Sequence, residues 1–177
     1  MKHVALLTLA IFILASPAGA QATRVIAVVD FADETADGHL IGASKLSGEL
    51  ERLLAERAGE RFRVVPVDQV RAAMRERNLG PRDLFGPNRQ IELATAVGAT
   101  WIVTGRWMHL DTDIEVIDRP PLPPIVHRSA AAVLEIRILE ASTRRVVLND
   151  SFMGQSFIVR FAAQQALWRA AEAIARL

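Results

Sequence analysis

Short apolar runs rich in β-branched residues alternate with helical patterns along this chain, and that alternation limits the possible folds most. Residues 25–31 contain no polar side chain before Asp30, which is typical of a strand covered on both faces. The patterns that follow are a helix marked by Leu46, Leu50, Leu53 and Leu54, a strand at 62–67, helices carrying Val70 and Met74 and then Ile91 and Val97, and a strand at 100–108. This β-α-β-α-α-β order favours parallel strands joined by helical crossovers.

The C-terminal part of the chain has a different pattern. Residues 131–139 alternate aliphatic and charged side chains, which predicts a strand covered on one face. Residues 142–145 turn into a second strand at 146–152, and residues 157–176 have the apolar stripe of a helix. We therefore predict one α/β domain at 21–177, with a mixed sheet of about five strands flanked by helices. The final hairpin contributes an antiparallel strand.

Residues 1–20 have the order of an export signal. Lys2 precedes an uninterrupted apolar run at residues 4–15, and the small residues at 18–20 fit the site that a signal peptidase cuts. We predict cleavage after Ala20 and a periplasmic mature protein. An uncleaved membrane anchor is the alternative, but the apolar run is shorter than the roughly 20 residues that span a bilayer.

The composition narrows the possible partners. The sequence contains no cysteine, so it offers no acceptor for an N-terminal lipid anchor and no disulfide. Its net charge is +1, which falls to zero when Lys2 leaves with the signal peptide. A balanced charge gives no electrostatic reason for binding nucleic acid or an anionic membrane. We therefore expect no lipid anchor, no nucleic-acid partner and no stable membrane insertion after cleavage.

Familiar catalytic motifs are missing from the sequence, which has no nucleophile elbow, phosphate-binding loop, dinucleotide fingerprint or zinc-protease motif. The best candidates for chemistry follow the first predicted strand, at the sheet edge where α/β proteins bind ligands. They are Asp30, Asp33, Glu34, Asp37 and His39. An acidic loop leading into a helix is the favoured interpretation, because a helix N-terminus favours carboxylates. A small-ligand-binding or hydrolytic domain is the alternative.

A second polar group is formed by His109, Asp111, Asp113 and His127. Such side chains could converge on a metal ion, because alternate strand positions share a face. Their spacing matches no established site, and the Asp-x-Asp pair lacks the glycine and distal glutamate of a calcium-binding loop. We favour a solvated acidic arm and predict neither a metal nor a cofactor.

Residues 111–128 resemble a linker. Four acids are followed there by four prolines, namely Asp111, Asp113, Glu115 and Asp118 and then Pro120, Pro121, Pro123 and Pro124. Because proline cannot donate to a strand ladder, we expect an exposed arm, partly in polyproline geometry, instead of a paired strand. The four prolines are candidate partner-binding residues.

The aromatic side chains suggest both core and surface positions. Trp101 and Trp107 lie on one predicted strand and share a face if the strand is regular. We predict burial for Trp101, and an exposed recognition role for Trp107, which lies nearer the prolines. Phe161 and Trp168 widen the apolar side of the last helix, which indicates deep burial or a partner. Burial is favoured, but all three of Trp107, Phe161 and Trp168 are candidate partner-binding residues.

Four segments occur in a recognisable order, at 25–31, 62–70, 94–105 and 136–147. The third is a helix ending in Gly-Ala followed by a strand ending in Thr-Gly, and the fourth is a strand ending in Glu-Ala-Ser-Thr before a turn. In this order the chain resembles the periplasmic domain of the curli secretion-channel (CsgG-like) family, which is similar in fold to the TolB N-terminal domain and the anticodon-binding domain.

The chain departs from that family at two places. Family channels carry an acylated N-terminal cysteine and long amphipathic hairpins that enter the membrane, whereas here cysteine is absent and the proline-containing residues 111–128 occupy the hairpin position. The resemblance therefore implies the soluble platform without the pore. It implies a non-catalytic periplasmic accessory protein that binds another envelope protein or self-associates.

Overall fold

A computed structural model describes residues 23–35, 42–57 and 61–177 of the chain. The predicted signal peptide at 1–20 lies outside the described residues, as do Asp37 and His39. The strands are β1 Arg24–Val28, β2 Ala32–Asp33, β3 Phe62–Val65, β4 Trp101–Arg119, β5 Leu122–Glu140 and β6 Arg145–Ser156. The helices are α1 Ala43–Arg57, α2 Val67–Glu76, α3 Pro87–Val97 and α4 Val159–Ala175, with a 3₁₀ helix at Pro81–Phe85.

The strands form one mixed sheet in the order β3-β1-β4-β5-β6, and the short β2 pairs with β4 beyond the end of β1. β1 is parallel to both β3 and β4, whereas β4, β5 and β6 are antiparallel to one another. This arrangement confirms the predicted single α/β domain with a mixed sheet and flanking helices.

Each face of the sheet has its own apolar core, because alternate residues of a strand point to opposite sides. Ile26 and Val28 belong to the core that includes side chains of α1 and α4, whereas Ala27 and Val29 belong to the core that includes α2 and α3. The apolar run at residues 25–31 is thus covered on both faces, as predicted. We call these the α1/α4 face and the α2/α3 face.

The junction between α3 and β4 shows how local sequence sets this layout. Gly98 ends α3 in the left-handed region, with φ at 66°, a conformation that glycine adopts without steric cost. The N–H of Ala99 then donates to the carbonyl of Ala94 at 2.9 Å. The N–H of Thr100 donates to the carbonyl of Val25 at 2.8 Å, so the chain joins β1 two residues after the helix ends.

Residues 111–128 are largely exposed, as predicted, but the prediction of an arm partly in polyproline geometry instead of a paired strand is wrong. They form the outer part of a two-stranded antiparallel ribbon in which β4 and β5 remain paired as far as Arg119 and Leu122, with a register shift after Ile117. The prolines are accommodated because they lie at the tip: Pro120 and Pro121 fall between the strands, and Pro123 and Pro124 directly follow the first residue of β5. Pairing of β5 with β6 stops at Ala130, so the outer edge of β5 at these prolines needs no backbone donor.

The C-terminal helix α4 lies very close to the sheet. Its buried residues are mostly small, namely Ala162, Ala163, Ala166, Leu167, Ala170, Ala171 and Ile174. Gly154 of β6 faces the helix, and a Cβ atom there would lie 1.8 Å from the carbonyl oxygen of Ala162. Glycine is therefore required at this contact. Within the described ranges, no helix combines the length and apolar character needed to cross a membrane.

Candidate functional site

The outer ribbon of β4 and β5 has an aliphatic face. A bulge at Met108 shifts the alternation of β4, so that Leu110, a core residue, continues the α1/α4 face. Two and four residues further on come Thr112 and Ile114, and then Val116, which lies opposite Val126 on β5. Ile114, Val116 and Val126 are 55%, 57% and 52% exposed, because α1 and α4 do not extend over this part of the ribbon.

More apolar side chains are exposed where β6 passes into α4. Phe157 is 78% exposed, and Ile158 and Phe161 are about half exposed. Phe157 and Ile158 line the same groove as Ile114 of the ribbon. We call the set Ile114, Val116, Val126, Phe157, Ile158 and Phe161 the apolar patch. An exposed set of this kind marks a binding surface more often than an inert one.

The groove at the centre of the apolar patch has a volume of about 770 Å³ and lies between the ribbon, the start of α1 and the start of α4. Three cations line it, Lys45 of α1, Arg128 of β5 and Arg160 of α4, and among the described residues none of them forms an ion pair. Glu49 is the one acid among the described residues that line the groove, and it forms an ion pair with Arg52 at 2.6 Å. We call this feature the basic groove.

The basic groove keeps its positive character at neutral pH. The side-chain hydrogen bond from Arg52 lowers the pKa of Glu49, and the nearby charge of Arg160 lowers this pKa further. Glu49 is therefore ionised, but it is a single carboxylate beside three cations, and it is held by Arg52, which also pairs with Glu56. The three cations that line the groove thus remain available to an anionic partner.

The opposite face of the ribbon is acidic. Asp111, Asp113 and Glu115 alternate along β4 on that face, and all three are exposed. We call these three residues the acidic strip. His109 lies beside the strip, with its Nε2 atom 3.8 Å from Asp111 Oδ2. His127 on β5 lies opposite Glu115 in the strand register. A concavity of about 250 Å³ adjoins Asp111 and Asp113.

The histidines and acids of the ribbon do not form a metal centre. In the part of the chain that the structure describes, no group of three or more His, Cys, Asp or Glu side chains is arranged to hold a metal ion. The spacing along β4 spreads the acids over the strip instead of directing them to one point.

Trp107 is buried, so the predicted exposed recognition role is wrong. Its side chain is only 1% exposed and meets the ring of Phe31 edge-on, with the ring centroids 6.3 Å apart. The core continues past Trp107 to Leu110 and Ala130, so the ribbon becomes exposed only beyond that point. Trp101 is 5% exposed on the same face, as predicted.

Phe161 and Trp168 are 51% and 50% exposed, and the favoured prediction of burial is wrong for both. The close contact between α4 and the sheet at Gly154 explains this, because only the small-residue stripe of the helix fits against β6. The indole of Trp168 lies under the guanidinium of Arg57, 5.6 Å from the ring centroid. Phe161 belongs to the apolar patch, whereas Trp168 lies two turns further along α4 and outside that set.

The four prolines at the ribbon tip, Pro120, Pro121, Pro123 and Pro124, are all exposed. They precede Val126 by two to six residues and form the tip of the ribbon. A partner-binding role for these prolines and for Phe161 and Trp168 stays a prediction.

The acids after β1 are engaged in local contacts. Asp30 accepts hydrogen bonds from the Arg71 guanidinium at 2.8 to 3.1 Å and from Ser47 Oγ at 2.6 Å. Asp33 Oδ1 accepts from the N–H and hydroxyl of Thr35. These carboxylates point to different partners instead of converging on one pocket.

Glu34, the next acid, pairs with Arg82 at 3.1 Å in the same local manner. None of Asp30, Asp33 and Glu34 lines the basic groove or the acidic concavity. The alternative of a ligand-binding or hydrolytic site built on these acids gains no support from their positions.

The aliphatic side chains of the apolar patch were not predicted from sequence. The signal was present in residues 112–117, where Ile114 and Val116 alternate with Asp113 and Glu115. Such alternation is typical of a strand with one apolar face, but the prolines that follow directed the interpretation towards an unpaired arm.

No family model and no curated protein matches this chain. Solved structures do. Lipoprotein GNA1162 from Neisseria meningitidis has a TM-score of 0.58 at 14% identity, over 75% of this chain and 83% of that one. LpoB from E. coli has a TM-score of 0.54 at 18% identity, over 78% of this chain and 60% of that one. A PelC dodecamer from Paraburkholderia phytofirmans has a TM-score of 0.52 at 12% identity, over 86% of both chains.

These neighbours correct the resemblance drawn from sequence. The similar structures are GNA1162, LpoB and PelC, so the assignment to CsgG-like or TolB N-terminal proteins is wrong. The motifs behind that resemblance include the helix ending at Gly98 and the strand through Thr104. They follow from general rules of helix termination and strand order, so they do not distinguish CsgG-like or TolB proteins from GNA1162, LpoB and PelC. GNA1162 is a lipoprotein, and its similarity gives no support to the prediction that this chain lacks a lipid anchor. That prediction rests only on the absence of cysteine from the sequence. At these identities the comparisons show a shared fold.

Proposed function

We propose that this protein is a non-catalytic protein of the cell envelope that binds other protein chains through the apolar patch. The observation that carries the proposal is the exposure of the six large apolar side chains that form the apolar patch. Aromatic and aliphatic anchors of this type contribute most of the binding energy in protein interfaces.

The magnitude of that contribution limits the kind of complex. Burying one large aliphatic or aromatic side chain completely is worth about 1.5–3 kcal/mol, so covering the six side chains of the patch, each roughly half exposed, gains about 5–10 kcal/mol. Association costs about 4–15 kcal/mol in lost freedom. The apolar patch alone therefore supports weak binding, and stable binding requires the charges of the neighbouring groove as well.

The ribbon offers main-chain contacts next to the apolar patch. Among the described residues, β4 has no second neighbour beyond Trp107 and β5 has none before Ala130, so the ribbon pairs only with itself there. Unpaired N–H and C=O groups along both outer edges are suited to an added strand from a partner.

Two further observations support the envelope location and the binding role. The order of charge, apolar run and small residues at 1–20 is that of an export signal, and the similar protein GNA1162 is a lipoprotein. The similar PelC structure is a dodecamer, which shows for that protein that the fold is compatible with assembly from many copies. The engagement of Asp30 by Arg71 supports a structural role for the acids after β1.

Photo-crosslinking in cells tests the proposal. A photoreactive amino acid at Val116 or Phe157 should give specific cross-links to protein, whereas the same group at Asp68, which is 94% exposed on α2, should not. Replacing Ile114 and Val116 by serine should abolish the cross-links formed from Phe157. Val146→Ser, which removes an exposed aliphatic side chain from β6, is the matched control.

The proposal fails if cross-linking from the apolar patch is no stronger than cross-linking from Asp68. It also fails if Val146→Ser reduces cross-linking as much as the change at Ile114 and Val116 does. Normal circular dichroism of each variant shows that the fold is kept.

A further inference from the structure

We infer that one partner of the apolar patch is a second copy of this chain, whose acidic strip binds at the basic groove of the first. The inference rests on the proposed function, because it uses the same patch, and it adds the identity of the partner. It comes from two surfaces of opposite charge that lie on opposite faces of one ribbon.

The basic groove has an excess of positive charge, because three cations and one carboxylate are found among its described lining residues. Lys45, Arg128 and Arg160 come from three different elements, and the described residues place no carboxylate within ion-pair distance of any of them. Three like charges around one groove repel one another, so an anionic partner is stabilising there. Glu49 fills this role only in part, because one carboxylate faces three cations and is hydrogen-bonded to Arg52.

The acidic strip has the complementary excess. Asp111, Asp113 and Glu115 repeat at every second residue of β4, and the spacing of strand residues places the outer two about 13 Å apart. Asp111 is 62% exposed, and the Nε2 atom of His109 lies 3.8 Å from its Oδ2 atom. The strip therefore presents three carboxylates in a row on a rigid, paired strand.

Aliphatic side chains at the ribbon tip are placed so that apolar contacts and charged contacts between the two copies form together. On the acidic face, Ile117 and Ile125 form a directly opposite pair one step beyond Glu115. On the aliphatic face, Val116 and Val126 form the corresponding pair. When the acidic face of one ribbon lies on the aliphatic face of another, the tips bring Ile117 and Ile125 onto Val116 and Val126. The acids then lie beside Arg128 and the helix starts.

Such a contact uses different surfaces on the two copies. The first copy still has an unoccupied acidic strip, and the second copy still has an unoccupied basic groove. Further copies therefore add in the same way and form a ring or an open series. Two kinds of partner could cover the apolar patch, a strand of another chain or a lipid acyl chain. The groove is open and continues onto a flat ribbon face, so a strand would bury more of its surface there than a single acyl chain would. The chain itself carries both halves of the complement, and this favours a second copy over an unrelated acidic protein.

Exchange of charge between the two surfaces tests the inference with the purified mature protein. One variant carries Lys45→Glu and Arg160→Glu in the groove, and the other carries Asp111→Lys and Asp113→Lys on the strip. We expect the wild type to self-associate in sedimentation velocity, with weaker association as salt rises. Each variant alone should be monomeric, and an equal mixture should assemble again because each groove then meets a strip of opposite charge.

Arg63→Glu with Arg75→Glu is the control, since it changes the net charge as the groove variant does but alters exposed residues of β3 and α2. This control should self-associate like the wild type. A monomeric wild type, a groove or strip variant that assembles alone, a mixture that stays monomeric, or a control that loses assembly would each overturn the inference. A monomeric wild type that still cross-links to a different protein through Val116 would leave the proposed function standing.

Discussion

Arg169 donates a hydrogen bond from Nη1 to the carbonyl oxygen of Met153 at 2.5 Å, across the outer edge of the last strand of the sheet. Gln165, one turn earlier on α4, accepts from the N–H of Gln155 at 3.2 Å. Asp150 accepts from the N–H of Ser151 at 2.8 Å. Met153, Gln155 and Ser151 alternate along β6, so these contacts occupy outward-pointing backbone groups of an edge strand that could otherwise pair with another chain.

Opening this edge should promote association through β6. In the double variant Gln165→Ala with Arg169→Ala, the backbone groups of Met153 and Gln155 become available, and we expect faster aggregation on warming. The loss of two exposed hydrogen bonds should lower the free energy of unfolding by about 1 kcal/mol. Light scattering during a thermal ramp measures the first effect. Arg75→Ala, an exposed arginine on α2, is the control and should aggregate like the wild type.

The contact between β6 and α4 gives a second prediction. In Gly154→Ala, the new methyl group would lie 1.8 Å from the carbonyl oxygen of Ala162, so the helix and the strand must separate. Overpacking of this kind should lower the free energy of unfolding by about 3 kcal/mol in chemical denaturation. Gly86→Ala is the matched control, since a Cβ there lies 3.9 Å from its nearest neighbour. Equal stability of the two variants would contradict the tight contact.

Much of the fold could be predicted from sequence because the core strands carry their signal locally. The apolar run before Asp30 predicts a strand covered on both faces, and the alternation at 131–139 predicts the half-covered strand that β5 forms. The exposure of Phe161 and Trp168 could not be predicted in this way. It depends on the small separation between α4 and β6 that Gly154 permits, which is a tertiary property.

The ribbon shows the same limit for the candidate site. Proline in a strand is unfavourable only when its missing N–H faces a neighbouring strand, and whether it does depends on where β6 stops pairing with β5. The bulge at Met108 also shifts the alternation, which places Ile114 and Val116 on the α1/α4 face and Asp111 and Asp113 on the other. Neither the end of the pairing nor the bulge is marked by a residue pattern.

Asp30 gives a prediction that separates a structural carboxylate from a catalytic one. Its side chain is 19% exposed and Arg71 is 27% exposed, so the pair is partly shielded from water. Asp30→Ala removes the acceptor for Arg71 and Ser47 and should lower the free energy of unfolding by about 2 kcal/mol. Glu34→Ala breaks the more exposed pair with Arg82 and should cost less than about 0.5 kcal/mol. Unchanged stability in Asp30→Ala would argue against the structural role.

The pairing of Glu49 with Arg52 predicts a dependence of stability on pH. The hydrogen bond from Arg52 holds the pKa of Glu49 below its ordinary value of 4.5 in the folded protein. A lowered folded pKa stabilises the protein above the unfolded value, and this contribution is lost as the pH falls through the folded pKa. The difference in unfolding free energy between wild type and Arg52→Gln should therefore be constant near neutral pH and shrink on acidification below pH 4.5.

An NMR titration of the Glu49 carboxyl group measures the cause directly. In Arg52→Gln the pKa of Glu49 should rise towards its ordinary value, because the first and largest cause of the lowering is removed. Arg89→Gln removes a comparable pair with Glu92 on α3 and should leave the pKa of Glu49 unchanged. A midpoint for Glu49 that is the same in wild type and Arg52→Gln would show that Arg52 does not hold this carboxylate. Glu49 would then be free to neutralise Lys45 and Arg160, and the basic groove would lose part of the charge with which it attracts the acidic strip.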